Sequence, residues 1–194
     1  MKRIVSLVLF AAFIPACLSA APVPAPTIQT IPIGGKLAGQ PGSALGWGFT
    51  LTYNAPSDWI VLNDSFFTGG QVYGTYNDYI VNQFIVAGPA PETALLDIPF
   101  SRGSTGLGEF DINRTGLIGA SITGNIVVDY DVFSQDPNSP DFDPNSFVTA
   151  GQASIPVAIN ITPEPATFGL IVVAALLGLW CYRRANPCAI PAGN

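Results

Sequence analysis

The chain has 194 residues, with seven Lys and Arg against thirteen Asp and Glu, three cysteines and no histidine. The missing histidine removes the usual general base, the usual zinc ligand and the usual pH switch together, and a net charge of -6 opposes binding to nucleic acid. With 48% apolar residues the chain can bury one ordinary core and still carry apolar segments at its ends.

Met1-Lys2-Arg3, the apolar run Ile4 to Ile14, and Cys17-Leu18-Ser19-Ala20 ahead of Ala21-Pro22 read as a secretory signal peptide over residues 1–20, cut after Ala20 by signal peptidase. The segment Ile14-Pro15-Ala16-Cys17 also resembles a lipoprotein processing site with Cys17 acylated, although Pro15 fits that pattern poorly. Residues 21–27 alternate proline and are expected to form an extended linker without fixed contacts.

From Ile28 to Ile161, short runs of Val, Ile, Thr, Phe and Tyr are broken about every ten residues by Gly, Pro, Asn and Asp, a pattern that predicts eight or nine β-strands. Alternation assigns the faces. Trp47, Phe49, Leu51 and Tyr53 share one side of a strand, Ile122, Ile126, Val128, Tyr130 and Val132 share another, and Ile155, Val157, Ile159 and Ile161 a third. One apolar face per strand, with no helical crossover between strands, predicts an all-β antiparallel sandwich, Ig-like in plan. Turn residues such as Gly34-Gly35, Gly69-Gly70 and Gly103-Ser104-Thr105-Gly106 fall at suitable intervals.

Between the two ends, three cations, Lys36, Arg102 and Arg114, face twelve carboxylates, leaving about nine net negative charges. That surface favours cations or neutral polymers, and also serves solubility alone. Cys17 leaves with the signal peptide, and Cys181 and Cys188 fall near the other end, so the domain has no disulfide and must be held by packing.

Three constellations invite chemistry. Asp141, Asp143 and Asn145 have the one-three-five spacing of an oxygen loop around calcium, within a run that also reads as a solvated connection pinned by Pro137, Pro140 and Pro144. Tyr73, Tyr76 and Tyr79, joined by Trp59, are candidates to stack on sugar rings, or else to pack in the core. The pairs Glu109/Asp111 and Asp129/Asp131 stand two apart on a strand, side by side and not across a cleft, so they read as solvated faces and not as a glycosidase pair. With no phosphate loop or serine elbow present, a catalytic function is not expected.

The tail is the most specific text. Pro163-Glu164-Pro165 precedes an apolar stretch, residues 166–182, that is stopped by Arg183 and Arg184. Prolines keep the tripeptide extended, and the two arginines hold that end in the cytoplasm. The stretch is expected to form one transmembrane helix, which at 1.5 Å per residue spans about 25 Å, at the short end for a hydrocarbon core of about 30 Å. This order of parts resembles the PEP-CTERM sorting tail of Gram-negative envelope proteins, over about residues 162–184 within a tail of 162–194, the last part (183–194) being cytoplasmic. The resemblance implies recognition by an exosortase, a cut near Pro163, Glu164 and Pro165, and delivery from the inner membrane to the envelope, cell surface or extracellular matrix. Ten residues after Arg184 depart from the family's usual ending. The stretch Pro41-Gly42-Ser43-Ala44-Leu45-Gly46-Trp47 is also similar to adhesion-type sandwich modules of that class.

The expected protein is therefore a non-catalytic surface component, structural or adhesive, without a required cofactor. Two alternatives stay open: a polysaccharide- or calcium-binding module, and a permanently anchored inner-membrane protein with a periplasmic domain.

Overall fold

A computed structural model describes residues 23–89, 95–163 and 165–185. The signal peptide, Glu164 and residues 186–194 lie outside the described residues, as do the side chains of Arg183 and Arg184.

Ten strands are present among the described residues: β1 (Thr27–Ile31), β2 (Lys36–Gly39), β3 (Ala44–Thr52), β4 (Trp59–Gly69), β5 (Gly74–Asp78), β6 (Ile85–Ala87), β7 (Leu95–Ile98), β8 (Gly108–Ile112), β9 (Ser121–Phe133) and β10 (Phe147–Ile161). They form two five-stranded sheets. In the first, β3 pairs with β1, β7 and β8, and β8 pairs with β5. The second runs β2-β10-β9-β4-β6.

The alternation rule places the core. Trp47, Phe49, Leu51 and Tyr53 are fully buried, and Ile122, Ile126, Val128, Tyr130 and Val132 of β9 and Ile155, Val157, Ile159 and Ile161 of β10 are buried. These two sets come from opposite sheets and join in one apolar cluster, which makes the architecture a sandwich. Trp47 also donates its indole N–H to the Gly35 carbonyl at 2.9 Å, tying the first sheet to the approach of β2. Gly35 has a positive φ of 64°, and a Cβ there would stand 2.7 Å from the Val157 side chain.

Three expectations need correction. There are ten strands and not eight or nine, because β2, β6 and β7 are three or four residues long, too short for alternation to register. The sandwich is not wholly antiparallel, since β2 and β10 pair in parallel. No dedicated helix is needed there: the chain between them runs through both sheets and acts as the crossover. Finally, the proline segment is not free of contacts. Pro26 is buried and Val23 packs on the core.

One irregularity determines which side chains β4 presents. Ile60 and Leu62 point inward, the register shifts between Leu62 and Asp64, and Ser65 and Phe67 point inward after it. Asn63 is the extra residue of a β-bulge. Without the bulge, Asn63 would take a place in the ladder and alternation would send Asp64 and Phe66 into the core. With it, the Phe67 ring enters the core, edge-on to Phe110 at 5.5 Å and lying across the cross-strand pair Gly69 and Gly124, where a Cβ would come within 2.7 Å of it. Ser65 reaches the opposite sheet, bonding Asp78 Oδ1 at 2.6 Å, the Leu107 carbonyl at 2.9 Å and the Tyr76 hydroxyl at 2.8 Å.

After β10 a helix, α1 (Pro165–Ala185), begins with proline at its first turn. Leu170, Ile171, Val172, Leu176 and Leu179 on it are exposed. Among the described residues no helix is long and apolar enough to cross a membrane.

Two substitutions test this account in urea denaturation. Trp47→Ala should cost about 3–5 kcal/mol, from the cavity it leaves. Phe67→Ala should cost about 3–5 kcal/mol for the same reason, whereas deleting Asn63, which removes the bulge and leaves Ser65 and Phe67 facing inward, should cost far less than either.

Candidate functional site

The outer face of the second sheet gathers the chemistry. β9 turns Val128, Tyr130 and Val132 inward, so Asp129, Asp131 and Phe133 face out. Past the bulge, β4 places Asp64 directly opposite Asp129, and before it Trp59 stands opposite Phe133. On the far side, Gln152, Ala150 and Phe147 of β10 stand opposite Asp129, Asp131 and Phe133.

Two adjoining clefts share Asn63 and Asp131. One, of about 350 Å³, is lined by Asn63, Asp129, Tyr130, Asp131, Ala150, Gly151 and Gln152. The other, of about 330 Å³, is lined by Val61, Asn63, Phe84, Asp131, Phe133, Pro137 and Phe142. Phe142 comes from the acidic connection after β9 and packs edge-on against Phe133 at 5.2 Å, so that connection is folded back as a wall of the second cleft. Phe84 is 67% exposed.

The acidic cleft is electrostatically unbalanced. Burial first, then the charges of Asp129 and Asp78 and a hydrogen bond shared with Asp129, push the Asp64 carboxyl above its ordinary value. Asp129 Oδ1 is buried and has no hydrogen-bond partner, and no Lys or Arg lines the cleft. Like charges directly opposed across a strand pair are destabilising, so the arrangement is suited to a cation or a hydrogen-bond donor.

The residues singled out in the sequence are dispersed. Trp59 is half-buried on the outer face of the second sheet, whereas Tyr73 and Tyr76 pack against the core. The Tyr76 hydroxyl bonds Ser65 and the Leu107 carbonyl, and its burial raises its pKa. Tyr79 stacks on Phe100 at 6.1 Å, accepts from the Gly103 N–H and donates to Glu109 Oε2 at 2.8 Å. These four rings do not form one platform. Glu109 is not a solvated face residue either: it is 5% exposed, covered by Tyr79 and by Arg102 at 3.5 Å.

Asp141, Asp143 and Asn145 are exposed. Asp143 Oδ1 accepts from both the backbone N–H and the side-chain amide of Asn145, at 2.9 and 2.8 Å, which caps a single 3-10 turn at Pro144–Ser146. Among the described residues no group of three or more Cys, Asp and Glu side chains assembles that could hold a metal ion.

What the sequence did not single out is the pairing of Asp64 with Asp129 and the contribution of Phe84, Phe133 and Phe142. A polar pair, Asn63-Asp64, inside an otherwise alternating strand was the available signal for the bulge.

No protein-family model matches the chain, and no curated protein matches it in sequence. Among solved structures, the ASH / PapD-like domain 7 of human CEP192 aligns with a TM-score of 0.31 at 10% identity, covering 80% of this chain and 99% of that one. The third cohesin of ScaC from Acetivibrio cellulolyticus, solved with the ScaB dockerin, aligns with a TM-score of 0.27 at 16% identity, covering 71% and 100%. At such scores neither likeness carries an argument, and the sandwich rests on its own strand pairing.

The raised Asp64 pKa has a defined sign. A group titrating higher in the folded state contributes stability that is complete below its unfolded pKa and is lost as pH rises through the folded value. Thermal melts should therefore fall as pH is raised from the ordinary aspartate value of 3.8 toward neutrality. Asp64→Asn should melt higher than the parent at pH 7 and lack that part of the fall.

Proposed function

We propose that this chain is an exported, non-catalytic surface protein whose sandwich serves as a structural or adhesive module, and whose tail is a PEP-CTERM-type signal read by an exosortase. The observation that carries the reading is the junction between domain and tail. Thr162 is the last residue tied to the sandwich, donating its N–H to the Gly39 carbonyl at 2.8 Å, and the helix starts at Pro165. In sequence the tripeptide Pro163-Glu164-Pro165 thus joins a fixed edge to a helix that begins at its last proline and carries exposed apolar side chains. A protease or transpeptidase cutting near the tripeptide leaves the sandwich whole.

The helix suits a transient handle better than a lasting anchor. Its apolar stretch, residues 166–182, extends about 25 Å at 1.5 Å per residue, at the short end for a hydrocarbon core of about 30 Å. Arg183 and Arg184 follow it in sequence, where two cations oppose translocation. A disulfide-free core built on Trp47 and its neighbours needs no oxidising partner to mature, which fits passage through the envelope.

Intact-mass measurement of the protein recovered from the envelope tests this. The mature form should lack residues beyond about 165, and Glu164→Ala should leave the uncut precursor in the inner membrane. Surface material that still contains residues 168–184 overturns the processing step and leaves a permanent inner-membrane anchor.

A further inference from the structure

β10 is paired unequally along its two sides. β9 accompanies it from Phe147 to Asn160, whereas β2 accompanies it only from Ala158 to Ile161. Among the described residues no strand pairs with the other side of 147–157. In a strand, successive residues turn their N–H and C=O groups to opposite neighbours, so a few bonds give the parity of the whole. Ile161 exchanges bonds with Ala120 and Gly119 on the β9 side, at 2.9 and 2.8 Å, while Ala158 donates to the Gly35 carbonyl on the β2 side at 3.1 Å. Even-numbered residues therefore face the β2 side, and beyond β2 the backbone groups of Ala150, Gln152 and Ser154 have no ladder partner. Pro156 obeys the same parity: its missing N–H falls on the unpaired side, where a proline is tolerated.

Natural sheets blunt such an edge with charge, proline, bulges or a covering segment. Here residues 147–163 contain no charged side chain. Pro156 and a bulge beside Val148 mark the two ends of the unpaired stretch and leave its middle open. The outward side chains along the middle are small or neutral. Immediately inboard lies the acidic cleft, with Asp131 opposite Ala150 and Asp129 opposite Gln152.

We propose that the unpaired edge of β10, over Ala150 to Ser154, takes an added β-strand from an extended segment of another protein, with a Lys or Arg of that strand lying across Ala150 into the cleft of Asp129 and Asp131. Backbone hydrogen bonds to the free edge provide attachment, and the alternate side chains provide selectivity. The added strand would stand two strand spacings, about 9.6 Å, from the row that carries Asp131, and Ala150 between them is too small to obstruct a long cationic side chain. Charge complementarity selects the occupant. Asp129 Oδ1 is buried without a partner, Asp64 is pushed toward its protonated form first by burial and then by Asp129, and the cleft has no cation of its own. A second copy of this chain is the less suited occupant, because it would bring a second β10 with no basic residue to that position. The inference rests on the sandwich alone and is independent of how the tail is processed.

The test uses the full chain in detergent and a fluorescent library of eight-residue peptides alternating Val and Thr around a central Lys, each with a norleucine counterpart. Lys peptides should bind by anisotropy about tenfold more tightly than their counterparts, and Asp131→Asn with Asp129→Asn should erase that difference while leaving the norleucine peptides unchanged. Gln152→Pro, which removes a free-edge N–H at the same parity as Pro156, should abolish binding of both sets while the circular dichroism spectrum and melt stay those of the parent. Equal binding of Lys and norleucine peptides, binding that survives Gln152→Pro, or no binding by any Lys peptide overturns the proposal. So does a concentration-dependent dimer in sedimentation that Gln152→Pro dissociates, which would give the edge to a second copy.

Discussion

Much of this structure depends on the bulge that takes the extra residue Asn63 out of the β4 ladder. A strand has a side-chain period of two, so one inserted residue exchanges its faces. In β4 the exchange separates an apolar half, where Ile60 and Leu62 face the core, from a half in which Ser65 and Phe67 do. Ser65 then links the sheets through Asp78, Tyr76 and Leu107, and Phe67 fills the space above Gly69 and Gly124. The same exchange puts Asp64 outside, against Asp129. A stabilising link between layers and an unstable charge pair on the surface thus share one cause.

The first sheet supplies a complementary constraint. With no cysteine in the sandwich, the two layers are held by burial of large side chains, and β3 concentrates them in Trp47, Phe49, Leu51 and Tyr53. Trp47 adds a hydrogen bond to the Gly35 carbonyl, and the Gly35 carbonyl also receives the Ala158 N–H. One carbonyl therefore joins the centre of the first sheet to the point where β2 meets β10. Its position helps explain why β2 is short: the chain turns there through two glycines of positive φ, pairs for four residues and leaves the rest of β10 open.

That opening and the acidic cleft lie side by side because both arise on the β9–β10 ribbon. Asp129 and Asp131 face out by alternation, and the loss of β2 beyond Ala158 leaves a ribbon edge within reach of them. A charged cleft beside an unpaired edge is equipped to hold an extended cationic segment.

The sequence by itself determined the fold class, the inward faces of β3, β9 and β10, and the order of parts in the tail, because period-two burial and proline-bounded apolar runs are local properties of the text. It also marked Asp143 and Asn145, yet their short-range hydrogen bonds could be known only from the backbone of the turn. Tertiary structure alone decided the parallel pairing of β2 with β10, the dispersal of Trp59, Tyr73, Tyr76 and Tyr79, and the burial of Glu109 under Tyr79 and Arg102. It also decided that Asp64 and Asp129, which lie far apart in sequence, face each other. Each of these depends on the register between strands, and register is set by a bulge and by turns whose effect on a distant partner no local pattern records.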